Sequence, residues 1–326
     1  MARRFISQLG ERESVDEVFL VADKQLRTNR QGNFYLQMRL SDRSGSLTAM
    51  MWNANDKVYS SFENGDYARV QGTSQFYNGA LQMIVTRIDR VIPRDVDEAD
   101  FVTLNVSTID RLAAEVAEML RTVRNESLRN LVECFLVDEA FMAALTSAPA
   151  GIKNHHAYRG GLLEHIHSLL RLVAIVAPHY PDLDADLLLL GAFLHDAGKI
   201  RELTYERELA YSDEGQLVGH LVIGVGMLDE KVREVERLTG EPFPRELHLR
   251  LQHMIVSHHG QYEFGSPKLP MTLEAIALHY LDNLDAKMHS LGTLIREDAN
   301  TDSNWTPFQA PLGRKLYKGG EAAREN

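Results

Sequence analysis

All 13 histidines of the chain lie between His155 and His289. Among them are the adjacent-ligand pairs His195-Asp196 and His258-His259. That distribution confines a metal site to one domain. With His165 upstream, His220 between the two pairs and Asp282 downstream, the chain carries a His, His-Asp, His, His-His, Asp series. Every member is on or beside a segment with helical apolar spacing, and such a series can hold two metal ions.

The 326 residues, 44% hydrophobic and 25% charged, suffice for two domains that each bury a core. The one cysteine, Cys134, sits in an apolar helical stretch, which excludes a disulfide framework and a thiolate zinc site. Met1-Ala2-Arg3-Arg4-Phe5 has no apolar segment behind it, and no window approaches the length of a membrane span, so the expectation is a cytoplasmic protein with no membrane partner. The net charge of -11 is uneven: residues 1–95 hold 13 Lys+Arg against 11 Asp+Glu, a net +2, and the remainder carries -13. Only the N-terminal part is electrostatically tolerant of a polyanion.

Val15–Lys24, Phe34–Leu40, Leu47–Trp52, Tyr67–Phe76 and Leu81–Val91 alternate or run apolar. Asn29 to Asn33, Asp42 to Gly45 and Tyr77-Asn78-Gly79 supply turn chemistry between them. Five such strands, with a short helix within Asn53–Phe62 between the third and fourth, predict an OB-type β-barrel over residues 1–95. Acidic residues after Pro93 and apolar stripes at Leu112, Val116, Leu120 and at Leu128, Leu131, Phe135 read as a helical linker over 96–150. An all-α domain over 151–300 follows, with helices at 161–177, 185–197, 220–238, 245–257 and 273–291. Residues 301–326 read as a partly ordered tail.

His195-Asp196 closes the apolar helix Leu187–Leu194, so a buried face delivers two ligands to one place. An imidazole offers one lone pair, whereas a carboxylate has two oxygens and can bridge two ions, which makes Asp196 the natural shared ligand. His165 and Asp282 would complete a first site with His195. His220 and His258 would complete a second, with His259 either a further ligand or a supporting group. Nitrogen and oxygen donors without thiolate suit Mn²⁺, Co²⁺, Fe²⁺, Ni²⁺ or Zn²⁺ rather than Mg²⁺ alone. Two such ions clamp the attacking and leaving oxygens of a phosphoryl centre, so the reaction class is phosphoester hydrolysis. Lys199 and Arg159 are placed in sequence to meet phosphate oxygens. His155 or His156 is a candidate proton donor to the leaving oxygen, with loop capping the competing reading. His167, His179, His248, His253, His279 and His289 read as surface or core histidines, and Asp285 shares a helix face with Asp282.

His165, His195-Asp196 and Asp282 resemble the ligand set of the HD phosphohydrolase superfamily, and His220 with His258-His259 resembles its two-metal branches. The stretches Asn154–His165, Leu194–Lys199, Gly219-His220 and Ser257–Gly260 look more closely like the YhaM family, bacterial 3'→5' exoribonucleases with an N-terminal OB fold and a C-terminal HD domain. The resemblance runs over nearly the full length. It favours Asp282 over Asp285 as ligand, and it implies two divalent ions, Mn²⁺ first among them, 3'→5' polarity and release of nucleoside 5'-monophosphates. The implied partner is single-stranded RNA, with single-stranded DNA as a second substrate and room for a homo-oligomer.

An OB barrel binds single strands by stacking bases on aromatic rings while basic side chains follow the phosphates. Phe34, Tyr35, Trp52, Phe76 and Tyr77 interleave here with Lys24, Arg27, Arg30, Arg39 and Arg69. Strand alternation sends about half of these aromatics inward, and the binding candidates are Trp52 and one of Phe34 and Tyr35, with Lys24 and Arg27. A barrel used only for protein contacts is the bland alternative. Two rival functions stay open at this point: hydrolysis of small nucleotides or cyclic dinucleotides with a regulatory barrel, and a non-catalytic RNA-binding factor with a structural metal.

Overall fold

The structure is a computed structural model that describes residues 3–29, 31–77, 80–97, 100–101, 104–151, 158–204, 210–296, 298, 303–309 and 312–319. Its contacts divide the chain into two compact units, one formed by 1–103 with 291–326 and the other by 104–290.

In the first unit, strands β1 (Ser14–Thr28), β2 (Phe34–Asp42) and β3 (Gly45–Trp52) form a meander. The short helix α1 (Asp56–Tyr59) leads to β4 (Tyr67–Tyr77) and β5 (Ala80–Val91). The five strands close in the order β1-β2-β3-β5-β4, with β3 and β5 parallel and the other pairs antiparallel. This is the expected five-stranded OB-type barrel, and closure removes the exposed strand edges an open sheet would present. Alternation sends Phe19, Val21, Leu36, Met38, Leu40, Val70, Met83 and Val85 inward as one core. Gly72 is needed where β4 crosses β5, because a Cβ there would lie 2.3 Å from the Ile84 carbonyl oxygen. Asn55 caps α1 by accepting a hydrogen bond from the Val58 amide. In the C-terminal part, Trp305 pairs with Tyr317 and Gln309 with Arg314 as isolated antiparallel bridges.

The second unit contains α2 (Val106–Leu120), α3 (Glu126–Leu136), α4 (Glu139–Ser147), α5 (Gly161–Val176), α6 (Ala185–Leu194), α7 (Lys199–Glu202), α8 (Asp213–Leu217), α9 (His220–Thr239), α10 (Arg245–Ser257) and α11 (Leu273–Arg296), the last running on past residue 290. Asn105, Asn125, Asp138, Asp184 and Ser212 cap α2, α3, α4, α6 and α8 through their side chains. The helices expected to act as a linker share one apolar core with α5, α6, α9, α10 and α11, through Leu112, Val116, Leu120, Leu131, Phe135 and Leu145. One departure from the all-α expectation is an antiparallel pair of two-residue strands, β6 (Leu203–Thr204) and β7 (Ala210–Tyr211), after α7. It is too short to leave a periodic signal.

A second departure concerns apolar length. The stretch Gly161–His179 does reach the length and composition of a membrane span, with mean hydropathy 1.3. The fold accounts for this: Leu162, Leu163, Ile166, Leu169, Leu170 and Val173 are buried in the core, and the same helix carries the buried His165.

A buried histidine and aspartate cluster

Five imidazoles and two carboxylates converge inside the helical unit. His165 comes from the first half of α5, and His195 and Asp196 from the end of α6. His220 opens α9, His258 and His259 end α10, and Asp282 lies mid-way along α11. His165, His195, Asp196 and His258 are almost wholly buried. Two glycines allow the close approach. A Cβ on Gly198 would lie 2.1 Å from the His220 carbonyl oxygen, and Gly260, at φ +76°, leaves no room for a Cβ against the His279 ring.

The orientation of the rings is set on the far side of each imidazole. The Nδ1 of His195, His258 and His259 lies 2.8 Å from the carbonyl oxygens of Ala192, Ile255 and Phe264 respectively. A carbonyl can only accept, so each Nδ1 carries a proton, and in the neutral ring it is Nε2 that keeps the lone pair. In the two remaining rings a carboxylate does the same. His165 Nδ1 donates to Asp285 Oδ2 at 2.8 Å, and His220 Nδ1 donates to Glu202 Oε1 at 2.8 Å. The Ser168 hydroxyl in turn donates to Asp285 Oδ1, and the His220 amide donates to the same Glu202 oxygen at 2.9 Å.

The Nε2 lone pairs then face one another in two groups. His165 Nε2 and His195 Nε2 are 3.3 Å apart, with Asp282 Oδ1 3.2 Å from the former and 3.8 Å from the latter. His220 Nε2 and His259 Nε2 are likewise 3.3 Å apart. Asp196 lies between the groups. Its Oδ2 is 3.4 Å from His195 Nε2, and its Oδ1 is 3.5 Å from His220 Nε2 and 3.6 Å from His258 Nε2. Two unprotonated nitrogens cannot bond to each other, so each group needs a cation or a proton at its centre. Asp196 Oδ1 is buried and has no hydrogen-bond partner among the described residues, as expected of an oxygen directed at an ion or a water rather than at another side chain. Within His165-His195-Asp282, His195-Asp196-His258 and His220-His258-His259, the donor atoms all lie within 4.8 Å of one another. Nitrogen and oxygen donors in this arrangement fit divalent metal ions.

The electrostatics prepare His258, His259, Asp196 and Asp282 for ligation and leave His165 holding a proton until a cation replaces it. Burial lowers the His258 pKa, and burial together with the neighbouring His258 brings His259 down to about 4, so both rings are neutral at pH 7. Burial would raise Asp196, but the Lys199 ammonium and the imidazoles hold it well below the usual carboxylate range. Burial also opposes ionisation of Asp282, and the hydrogen bond and charge of His165, with the charge of His195, override it. For His165 burial acts downward, yet the Asp282 and Asp285 carboxylates raise it to about 9. In the absence of metal, a proton held there relieves the repulsion of the facing lone pairs.

The other expected site residues divide. Lys199 Nζ is not held out for a ligand: it donates to Asp196 Oδ2 and to the Ala150 carbonyl, both at 2.7 Å. It keeps its proton because the Asp196 charge outweighs burial. Arg159 is exposed in the turn before α5. His155, His156 and Arg30 lie outside the described residues. His279 supports the cluster from behind by bonding the His258 carbonyl through Nδ1 at 2.8 Å. The sequence reading passed over Glu202 altogether and treated Asp285 only as a competitor of Asp282.

On the barrel, Arg27, Tyr35 and Trp52 are direct cross-strand partners on β1, β2 and β3. The Tyr35 and Trp52 rings sit 5.3 Å apart. They share the outer face, since Leu36, Met38 and Leu40 point inward. Phe34 and Trp52 are about half exposed, and Arg27 is exposed beside Gln25. Arg39 and Arg69 are paired with Asp23 and Asp16. Lys24 does not join this face. It is buried, and its ammonium bonds the Tyr59 carbonyl at 2.9 Å, the Phe62 carbonyl and Glu63.

Comparison with known proteins agrees with this architecture. Residues 162–287 match the HD domain family and residues 20–91 match an OB-fold nucleic acid binding domain. The chain is 34% identical over 280 residues to the 3'-5' exoribonuclease YhaM of Bacillus subtilis (strain 168), covering 86% of this chain and 87% of the relative. It is 35% identical over 282 residues to the protein of the same name from Shouchella clausii, covering 86% and 85%. The same name attaches to a relative from Bacillus velezensis, 33% identical over 277 residues and covering 85% and 86%.

Proposed function

Because this chain belongs to the YhaM family of 3'-5' exoribonucleases, we propose that its histidine and aspartate cluster holds two divalent ions, Mn²⁺ foremost, and removes nucleotides from the 3' end of single-stranded RNA. Single-stranded DNA is proposed as a second substrate and nucleoside 5'-monophosphates as products. The observation that carries the two-ion reading is Asp196, whose Oδ2 faces His195 and whose Oδ1 faces His220 and His258.

His165, His195 and Asp282 would hold one ion and His220, His258 and His259 the other, with Asp196 common to both. Bound there, the ions would supply a water acidified to nucleophilic strength and neutralise the phosphate charge. The protein's own part is geometric and electrostatic. Fixed Nδ1 bonds aim five rings at one volume, so little reorganisation remains when substrate arrives. The buried walls exclude bulk water and strengthen every interaction with the phosphate. Lys199 keeps Asp196 ionised. On the barrel, the Arg27-Tyr35-Trp52 row offers a guanidinium for a phosphate and two rings for bases, which supports holding the strand that the helical unit shortens.

The reading is tested by incubating the protein with Mn²⁺ and a 5'-labelled single-stranded RNA beside an Asp196→Ala control. A ladder shortening from the 3' end in the wild type alone supports it. Intact RNA in both, with turnover of small nucleotides, would replace it.

A further inference from the structure

The cluster is not evenly enclosed. His165, His195 and His258 have at most 1% of their side chains exposed, whereas 12% of His220 and 19% of Asp282 reach solvent. His259 is also partly open. The cluster is therefore accessible from solvent at His220, His259 and Asp282.

Immediately beyond His259 the chain makes a 3-10 turn, Tyr262–Phe264, whose two rings are 62% and 63% exposed. This turn is not loose. The Phe264 carbonyl receives the His259 Nδ1 hydrogen bond at 2.8 Å. The Phe264 and Ser266 amides both bond the Gln261 carbonyl, the Gly265 amide bonds that of Tyr262, and Gly265 reverses the chain at φ +82°. Ser266 is buried, with its hydroxyl within 3.0 Å of the Val256 and Lys268 carbonyls. On the other bank, Leu217 and Val218, just ahead of Gly219-His220, are 85% and 46% exposed, and Val222 follows at 54%. Exposed apolar side chains thus lie next in sequence to two of these three ligands, His220 and His259, and the turn that carries the aromatic pair is tied to His259 by its Nδ1 bond to the Phe264 carbonyl.

We propose that Tyr262 and Phe264 form a nucleobase-stacking site at the mouth of the metal cluster. The base of the nucleotide whose phosphate reaches the cluster would lie against their rings. The inference rests on the nucleotide-hydrolysing reading above and adds the part of the substrate that the cluster itself cannot recognise. Every base has a π-face, so such a platform accepts all four and is compatible with degradation that ignores sequence. A platform carried on a hydrogen-bonded turn also loses little backbone freedom when a base settles on it.

The test compares binding of adenosine 5'-monophosphate and ribose 5-phosphate to the full-length, metal-loaded protein by calorimetry. The wild type is expected to prefer the base-bearing ligand by roughly tenfold or more. Tyr262→Ala with Phe264→Ala should remove most of that preference while leaving ribose 5-phosphate binding and metal content unchanged, and Phe264→Trp should preserve it. A preference that survives the double substitution overturns the proposal. So does an equal loss for both ligands, which would mean a disturbed cluster, and so does a change of oligomeric state with the preference intact, which would make the rings a protein contact. Degradation of RNA by the same samples is read separately. Base discrimination through these rings with RNA left intact would retire the exonuclease reading and keep the base site.

Discussion

His165 Nδ1 donates to Asp285 Oδ2 at 2.8 Å, and this one bond fixes both the tautomer and the tilt of a buried ring whose other nitrogen faces His195 and Asp282. Glu202 does the same for His220 at the opposite end of the cluster. Each of the two imidazole groups therefore contains one ring backed by a carboxylate. Asp285→Asn and Glu202→Gln are expected to weaken Mn²⁺ binding by about 10- to 100-fold, the usual cost of losing such support. The two substitutions should act on different steps of a two-step Mn²⁺ titration. Identical isotherms for both variants and the wild type would show that the carboxylates do not position the rings.

The same contact gives a pH dependence. Asp282 and Asp285 raise the His165 pKa from 6.5 to about 9 in the metal-free protein. A group whose folded pKa is raised stabilises the fold below its unfolded value and loses that contribution as the pH climbs through the folded one. The metal-free protein should therefore lose thermal stability between pH 6.5 and about 9, and Mn²⁺ affinity should rise over the same window as the competing proton leaves. Melting curves with and without chelator check both trends, and Asp285→Asn should flatten them.

Lys24 supports the barrel. Its buried ammonium joins the Tyr59 and Phe62 carbonyls to Glu63. Lys24→Met leaves those carbonyls without their donor and should destabilise the barrel by about 2 kcal/mol in denaturant unfolding. Affinity for RNA in the folded protein should stay near the wild-type value.

The Arg27-Tyr35-Trp52 row makes the opposite prediction. Trp52→Ala removes a half-exposed ring and should weaken binding of single-stranded RNA by about 1–3 kcal/mol with little change in stability. Fluorescence anisotropy with a labelled oligoribonucleotide in the presence of EDTA separates this loss from any effect on cleavage.

These contrasts show which parts of the molecule the chain declares. The histidine and aspartate cluster was legible because His195-Asp196 and His258-His259 are adjacent in sequence and their residue types allow few other uses. The barrel was legible because inward and outward residues alternate. Lys24 was misread because that alternation breaks locally: the register of β1 shifts between Ala22 and Gln25, with Asp23 at φ +53°. The bulge moves Lys24 from the outer face to the interior side. Glu202 and Asp285 were hidden for a different reason. Carboxylates on helices mostly face water, and only the packing of α7 against α9 and of α5 near α11 brings these two behind an imidazole. The β6-β7 strand pair is too short for any pattern.

The most direct measurement is the metal stoichiometry of the intact protein by native mass spectrometry, wild type beside Asp196→Ala, with RNA degradation followed on the same samples. If Asp196 joins the two histidine groups, the wild type carries two ions and degrades RNA, while the variant loses at least one ion and all detectable degradation. An Asp196→Ala protein that keeps both ions and shortens RNA at the wild-type rate would contradict the shared-carboxylate site.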